Sequence, residues 1–385
     1  MMKTNHFQIH RWLILLIIFS VIGIGGLFAQ TKNPDLSIIT DFRTFTHDNT
    51  ALAAEKNRLN LSLEEIEIAL QGYLNPYARA DIYLAKHGIE GALEIEEASA
   101  TFLRGLPLGL NVKVGKYLVD FSKLNLLHPH AYPFVERPLL HRIYFGDDGF
   151  NDTGINASLL LPTGSVYSEV SFNVLKGDFV QGHHHHGEEH ASEAEAEEEN
   201  EEQALGYTGR FSNHVQVSDY ANLELGMSGA TAIYDTHENL RLMLGGFDVK
   251  YKWRPNKYRS FTFQAEAIFN RRDVIHGEHE QGGTEPEAPA EPEIDQVNTF
   301  GFLAFTNYQF RQRWNIGAKA EWLQAPDSKD EKYHGYSVFA GFAPMEETSV
   351  IRLLLVREQH PGEDAVNKAL IQVLFSLGPH KAHVF

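Results

Sequence analysis

The 385-residue chain contains no cysteine, which excludes a disulfide framework, thiol chemistry and a lipid-bearing cysteine at a leader cleavage point. Positive charge is scarce. With 33 Lys and Arg against 51 Asp and Glu, the formal net charge is −18, a balance that repels nucleic acid and other polyanions and attracts cations. Beyond Ala29 no apolar run reaches the roughly 20 residues that a spanning helix needs. GxSxG, GxxxxGKS/T and HExxH are all missing, so no hydrolase elbow, phosphate loop or metalloprotease helix is signalled and no enzymatic activity is expected.

The first 29 residues have their own character. Met1 to Arg11 carries Lys3 and Arg11 without an acid, and Trp12 to Ala29 is almost wholly apolar, the charge-then-apolar order of a secretory signal peptide. Gly23, Gly25 and Gly26 break the run, and Ala29 before Gln30 suits peptidase cleavage, although Leu27 stands where a smaller residue is usual. Residues 1–29 are therefore expected to be a signal peptide and 30–385 an exported domain. Loss of Lys3 and Arg11 takes the formal charge from −18 to −20.

What the exported part does have is alternation. In Phe247 to Trp253, Phe247, Val249, Tyr251 and Trp253 are large and apolar while Asp248, Lys250 and Lys252 between them are charged, the period of a strand with one greasy and one wet face. Phe261 to Phe269 repeats it, as do Ile66, Ile68 and Leu70 between Glu65, Glu67 and Gln71, and Ala369 to Leu377 near the end. The pattern predicts strands at about 34–46, 61–74, 77–86, 92–103, 109–119, 153–161, 166–177, 206–217, 220–234, 240–254, 258–271, 297–310, 313–324, 333–343, 348–357 and 368–378. A mean hydropathy of −0.29 suits strands of which half the positions face water.

The connections between these strands alternate between short and long. Tight turns such as Asn75-Pro76, Pro255 to Lys257 and Arg311-Gln312 separate longer segments, the longest at 120–152, 178–205 and 272–296. A barrel inserted from one side of a bilayer needs that arrangement, whereas a soluble β-sandwich has no reason for it. The expected fold is an all-β, transmembrane antiparallel β-barrel of about 16 strands with no plug domain.

Two kinds of long loop carry the candidate chemistry. The segment from Asp120 to Asp152 is rich in Leu, Tyr, Phe and Pro, too apolar for a solvated tip, and is expected to fold into the lumen. Lys123, His128, His130, Glu136, Arg137, His141, Arg142, Asp147 and Asp148 would then line a constriction that selects by size and field. The loop from Gly182 to Gln203 is dense in imidazole and carboxylate: His183, His184, His185, His186, Glu188, Glu189 and His190 are the expected ligands for Zn²⁺ or a similar divalent ion. His276, Glu278 and His279 repeat that chemistry before a Pro/Glu-rich stretch. No rigid ligand spacing is visible, so weak, fluxional capture is expected and no resident cofactor is required.

Several segments resemble the porin-like outer-membrane barrels of Bacteroidetes and related bacteria, some of them described as zinc-regulated outer-membrane receptors. They are NPDLSIITDF from Asn33, LEEIEIALQGYLNPYARADIYLA from Leu63, the stretch from EEASATF at Glu96 to GKY, LNLLHPHAYPFVERPLL from Leu124 and the GPHKAH near the end. The resemblance implies an outer-membrane location, insertion by the barrel assembly machinery and a link to divalent-metal uptake. Energised import through a plugged 22-strand receptor does not fit, because the first strand begins a few residues past the cleavage point. The expectation is a porin-like channel for small hydrophilic solutes, homotrimeric by analogy with 16-stranded porins. The alternatives are a barrel scaffold for surface binding or adhesion and a polyanion-selective porin, the latter disfavoured by the acidic loops.

Overall fold

A computed structural model describes residues 33–52, 54–164, 166–180, 204–236, 238–276, 293–345 and 348–378. Sixteen strands run through them: β1 (Asp35–His47), β2 (Asn60–Asn75), β3 (Ala78–His87), β4 (Leu93–Phe102), β5 (Asn111–Leu118), β6 (Asn151–Leu161), β7 (Val166–Leu175), β8 (Gly206–Ser218), β9 (Ala221–Asp235), β10 (Leu240–Asn256), β11 (Arg259–His276), β12 (Glu293–Phe310), β13 (Trp314–Gln324), β14 (Lys332–Met345), β15 (Ser349–Gln359) and β16 (Val366–Leu377). Each pairs antiparallel with its neighbours in sequence. Ile38 of β1 lies opposite Ile68 of β2 and Leu377 of β16, so the sheet closes on itself. Closure leaves no row of unpaired N–H and C=O groups at an edge.

The expected architecture is thus present, with no plug domain among the described residues. One rim carries the tight turns. Asn75 Oδ1 closes the β2–β3 turn by accepting from the N–H groups of Tyr77 and Ala78 at 2.8 and 2.9 Å, and Asn256 Oδ1 accepts from Tyr258 N–H at 2.9 Å in the β10–β11 turn, the local bonding that suits Asn to such positions. The other rim carries the long connections.

The wall is polar inside and apolar outside. On β10, Phe247 is 45% exposed on the outer surface while Asp248 and Lys250 face inward at 2% and 4%. Aromatic rings gather in two bands on that outer surface. Phe269 and Trp322 pack with Phe300 and Phe302 in one, and Tyr308 with Phe310 and Trp314 with Phe342 form the other. Along β12 the bands lie six to ten residues apart, which at about 3.4 Å per residue and a tilt near 40° is roughly 16–26 Å of height.

The structure corrects the sequence reading in one region. Residues 272–276 and 293–296, expected in a loop, extend β11 and β12, with Asp273 opposite Gln296 and His276 opposite Glu293. Arg271, Arg272 and Asp273 break the apolar alternation. Beyond the aromatic band both faces of the ladder meet water, so backbone pairing continues without it. The connection shrinks to 277–292.

A second departure from simple alternation positions the site. The inward stripe of β10 changes from Lys250 and Asp248 to Leu244, Leu242 and Leu240 towards the long-loop rim. Ile268, Leu303, Phe305, Leu323, Phe339, Leu354 and Leu370 do the same on the strands that follow, and all share one apolar core with residues between β5 and β6.

Candidate functional site

The segment 119–150 leaves β5, folds into the barrel and returns to β6. Its neck is closed by Asn125, which is wholly buried. Asn125 Nδ2 donates to Val119 O at 2.7 Å and Phe150 O at 2.9 Å, and its Oδ1 accepts from Phe150 N–H at 2.9 Å. Pro138 precedes a short helix, α1 (Leu139–Phe145), which stops at Gly146 with φ 92°, a left-handed value that glycine adopts without Cβ strain.

Aromatic and aliphatic side chains drive the docking. Phe134 meets Phe305 and Phe339 edge-on at centroid distances of 5.2 and 5.8 Å, while Phe145, Phe150 and Phe179 stack in series at 4.9 and 4.2 Å. Each large apolar side chain fully buried this way contributes about 1.5–3 kcal/mol. The wall makes room for them: a Cβ at Gly301 would lie 2.5 Å from Leu140 Cδ1, and one at Gly246 would lie 2.9 Å from the Phe121 ring.

Polar anchors then buckle the segment to strands all round the barrel. Lys123 Nζ pairs with Glu224 of β9 at 2.9 Å. His141 Nε2 meets Glu266 Oε2 of β11 at 2.9 Å, and Leu124 N–H donates to the other oxygen, Oε1, at 2.8 Å. Leu140 N–H donates to Glu321 of β13 at 3.3 Å, Arg142 to Glu358 of β15 at 3.0 Å, and Lys368 of β16 to Glu136. Arg352 Nη2 donates to His130 O at 3.0 Å. Burial alone would push the Glu136 carboxyl up, but Lys368 and Arg142 outweigh it and hold the group below its ordinary value.

The remaining expected constriction residues divide by environment. His128 and His130 lie against Glu67, Glu96 and Glu97 on β2 and β4; His128 Nε2 meets Glu97 Oε1 at 2.7 Å. Burial disfavours a charged His128, yet Glu67, Glu96 and Glu97 together hold its pKa well above the usual value. Arg137 is buried within the segment, donating to Asp147 O at 2.8 Å and to the Tyr132 hydroxyl at 3.3 Å. It and His141, which is fully buried, hold the segment in place and present no face to a solute. Asp147 and Asp148 stay exposed.

Beside the docked segment lies a cavity of about 140 Å³ lined by Asp120, Lys123, Glu169, Arg210, Ser212, His214, Glu224 and Asp248. Arg210 spans Asp248 with bonds of 2.6 and 2.9 Å. Both signs of charge therefore face one small space, which Leu126 and Leu225 also line.

The expected outer-loop ligands His183, His184, His185, His186, Glu188, Glu189 and His190 lie outside the described residues, as do Glu278 and His279. His276 ends β11. The sequence reading singled out the loop side of the docking contacts and missed the wall side: Glu67, Glu97, Glu224, Glu266, Glu321 and Glu358 each occupy an inward position of an alternating strand. Their residue type and parity were readable; which loop atom each meets depends on strand register and on the path of the segment.

No family model matches the chain. It is 27% identical over 361 residues to an uncharacterized protein of Aquifex aeolicus, spanning 86% of this chain and 71% of that one. Among solved structures it is similar to the outer membrane channel DcaP of Acinetobacter baumannii, with a TM-score of 0.58 at 11% identity over 89% of this chain and 96% of that one. It is also similar to the trimer form of OmpT, an outer membrane protein of Vibrio cholerae, with a TM-score of 0.53 at 8% identity over 90% of this chain and all of its counterpart. The closed 16-strand antiparallel barrel with a docked internal segment is a porin-like fold.

Proposed function

We propose that this chain is an outer-membrane channel through which small hydrophilic solutes diffuse down their gradient, narrowed by the segment 119–150. The observation that carries the reading is the coincidence of an apolar outer wall between two aromatic bands with a charged cavity beside an inward-folded segment. The band height matches the roughly 25 Å apolar belt of outer-membrane barrels. Residues 1–29 act as the export signal, and the barrel assembly machinery inserts the closed barrel. A homotrimer is the assembly that likeness to the OmpT trimer form supports. The loop around His183 to His190, with Glu278 and His279, concentrates Zn²⁺ or a similar cation near the mouth and couples the channel to divalent-metal uptake.

The test is planar-bilayer conductance with and without Zn²⁺, comparing the parent with a deletion of Gly182 to Gln203. Discrete steps whose cation preference falls in the deletion are expected. An unchanged preference removes the metal-capture part. A second reading, a barrel scaffold for surface binding, draws on the apolar packing of segment 119–150 against Phe305, Phe339 and their neighbours; a protein that inserts yet passes no current would establish it.

A further inference from the structure

We infer that a Zn²⁺-class divalent cation staples segment 119–150 to the wall of β2 and β4, held by Glu67, Glu96 and His128 with His130 and Glu65 beside them. This site is distinct from the outer-loop histidines and sits inside the barrel. Two triads of candidate ligand atoms share Glu67: Glu67, Glu96 and His128 in one, Glu65, Glu67 and His130 in the other, each with its atoms within 4.8 Å of one another.

The spacing of the atoms is the first argument. His128 Nδ1 lies 3.2 Å from Glu96 Oε2 and 3.4 Å from Glu67 Oε2, and His130 Nδ1 lies 3.3 Å from that same Glu67 oxygen. Charge-assisted N–H···O bonds run shorter, at about 2.7–2.9 Å. Two ligands at about 2.0–2.1 Å from one tetrahedral ion are instead about 3.3–3.4 Å apart. The three separations fall at or close to that tetrahedral edge.

The outer contacts are the second argument, and they are independent of the first. His128 presents Nδ1 to the cluster while its Nε2 lies 2.7 Å from Glu97 Oε1, a true hydrogen bond. A ligating imidazole that donates its far N–H to a carboxylate is the recurring way metal sites fix ring orientation and raise ligand basicity. The Tyr83 ring stacks on His128 at 4.7 Å and restricts it further.

Charge is the third. Glu65, Glu67, Glu96 and Glu97 bring four carboxylates to one largely buried place, where uncompensated anions are costly. Lys113 supplies part of the compensation. The imidazoles choose the ion, because Mg²⁺ and Ca²⁺ prefer all-oxygen shells and zinc accepts mixed nitrogen and oxygen. The competing occupant is a proton on His128.

The experiment uses the full exported chain in detergent, with Gly182 to Gln203 deleted and His276 and His279 replaced by Ala so that the outer loops are silent. Zn²⁺ affinity is measured by chelator competition, and the ion is located by anomalous diffraction at the zinc edge. A peak between His128 Nδ1 and Glu67 Oε2 is expected. Glu67→Gln and Glu96→Gln should each weaken binding by roughly 100-fold or more, Glu97→Gln by roughly 10–100-fold as an outer-contact change, and Ca²⁺ should not compete. No anomalous peak in the parent, or unchanged affinity in folded Glu67→Gln, overturns the proposal and leaves an imidazolium–carboxylate network. If Glu67→Gln fails to give the heat-modifiable band of a folded barrel, Glu96→Gln and the parent's anomalous map decide. The proposal does not rest on the channel reading, since conductance is scored separately.

Discussion

Glu266 is the contact on which docking of the internal segment depends most, because one carboxylate serves several loop groups. It meets His141 Nε2 at 2.9 Å and Leu124 N–H at 2.8 Å, and it also accepts from Gln264 at 3.1 Å. His141 is fully buried and Glu266 nearly so, so no water replaces the carboxylate once it is gone. In Glu266→Ala the segment keeps its apolar packing but leaves a buried N–H and an imidazole without their acceptor. Leaving two buried groups unsatisfied costs about 1–3 kcal/mol each, or about 4 kcal/mol for the two. The barrel ladders do not pass through this contact, so the loss falls on docking. A shift of about 4 kcal/mol raises the undocked fraction by roughly a thousandfold. Two measurements read it: single-channel conductance, which should show larger or flickering openings, and trypsin cleavage after Lys123 and Arg142 in the folded barrel, which should accelerate. Glu266→Gln, which retains an acceptor oxygen, should fall between parent and Ala. If the Ala variant conducts and resists trypsin as the parent does, the segment is held by packing alone and the argument for polar anchoring fails.

Two further outcomes follow from the same contacts. Asn125→Ala removes three buried hydrogen bonds at the neck, about 2–4 kcal/mol in all, and amide exchange at Val119 and Phe150 should quicken while the strand ladders stay protected; equal protection would refute the clamp. Glu136 titrates below its ordinary 4.5 in the folded state, so its stabilising effect is complete above that value and is lost as pH falls through the lowered one. Acidification below about 4.5 should therefore increase pepsin access to the segment, reversibly, and Glu136→Gln should lack that component.

The number and order of strands were legible because a barrel wall imposes one rule on every strand. Phe247, Val249 and Tyr251 against Asp248 and Lys250 state the rule in five residues, and its repetition with short and long connections leaves little but a closed sheet. The rule was blind where the surroundings change. Arg272 and Asp273 read as loop because the apolar alternation stops there, although the backbone pairs as far as His276. Leu242 and Leu244 read as ordinary strand residues, although they face inward and mark where the interior is filled. The apolar composition of Asp120 to Asp152 announced that this segment folds, but composition does not distinguish an arginine that faces water from one buried under its own loop, as Arg137 is.

Alternating polarity and the absence of helix-length apolar runs decided by themselves that this protein is a closed β-barrel, and the apolar composition of its third long loop decided that this loop folds; all are local properties of the chain. Only the tertiary structure decided which wall carboxylate meets which loop residue. Glu67, Glu96 and His128 come from three separate segments and gather because strand register and the path of the loop bring them together; pairing across a barrel depends on that geometry and leaves no periodic trace in sequence.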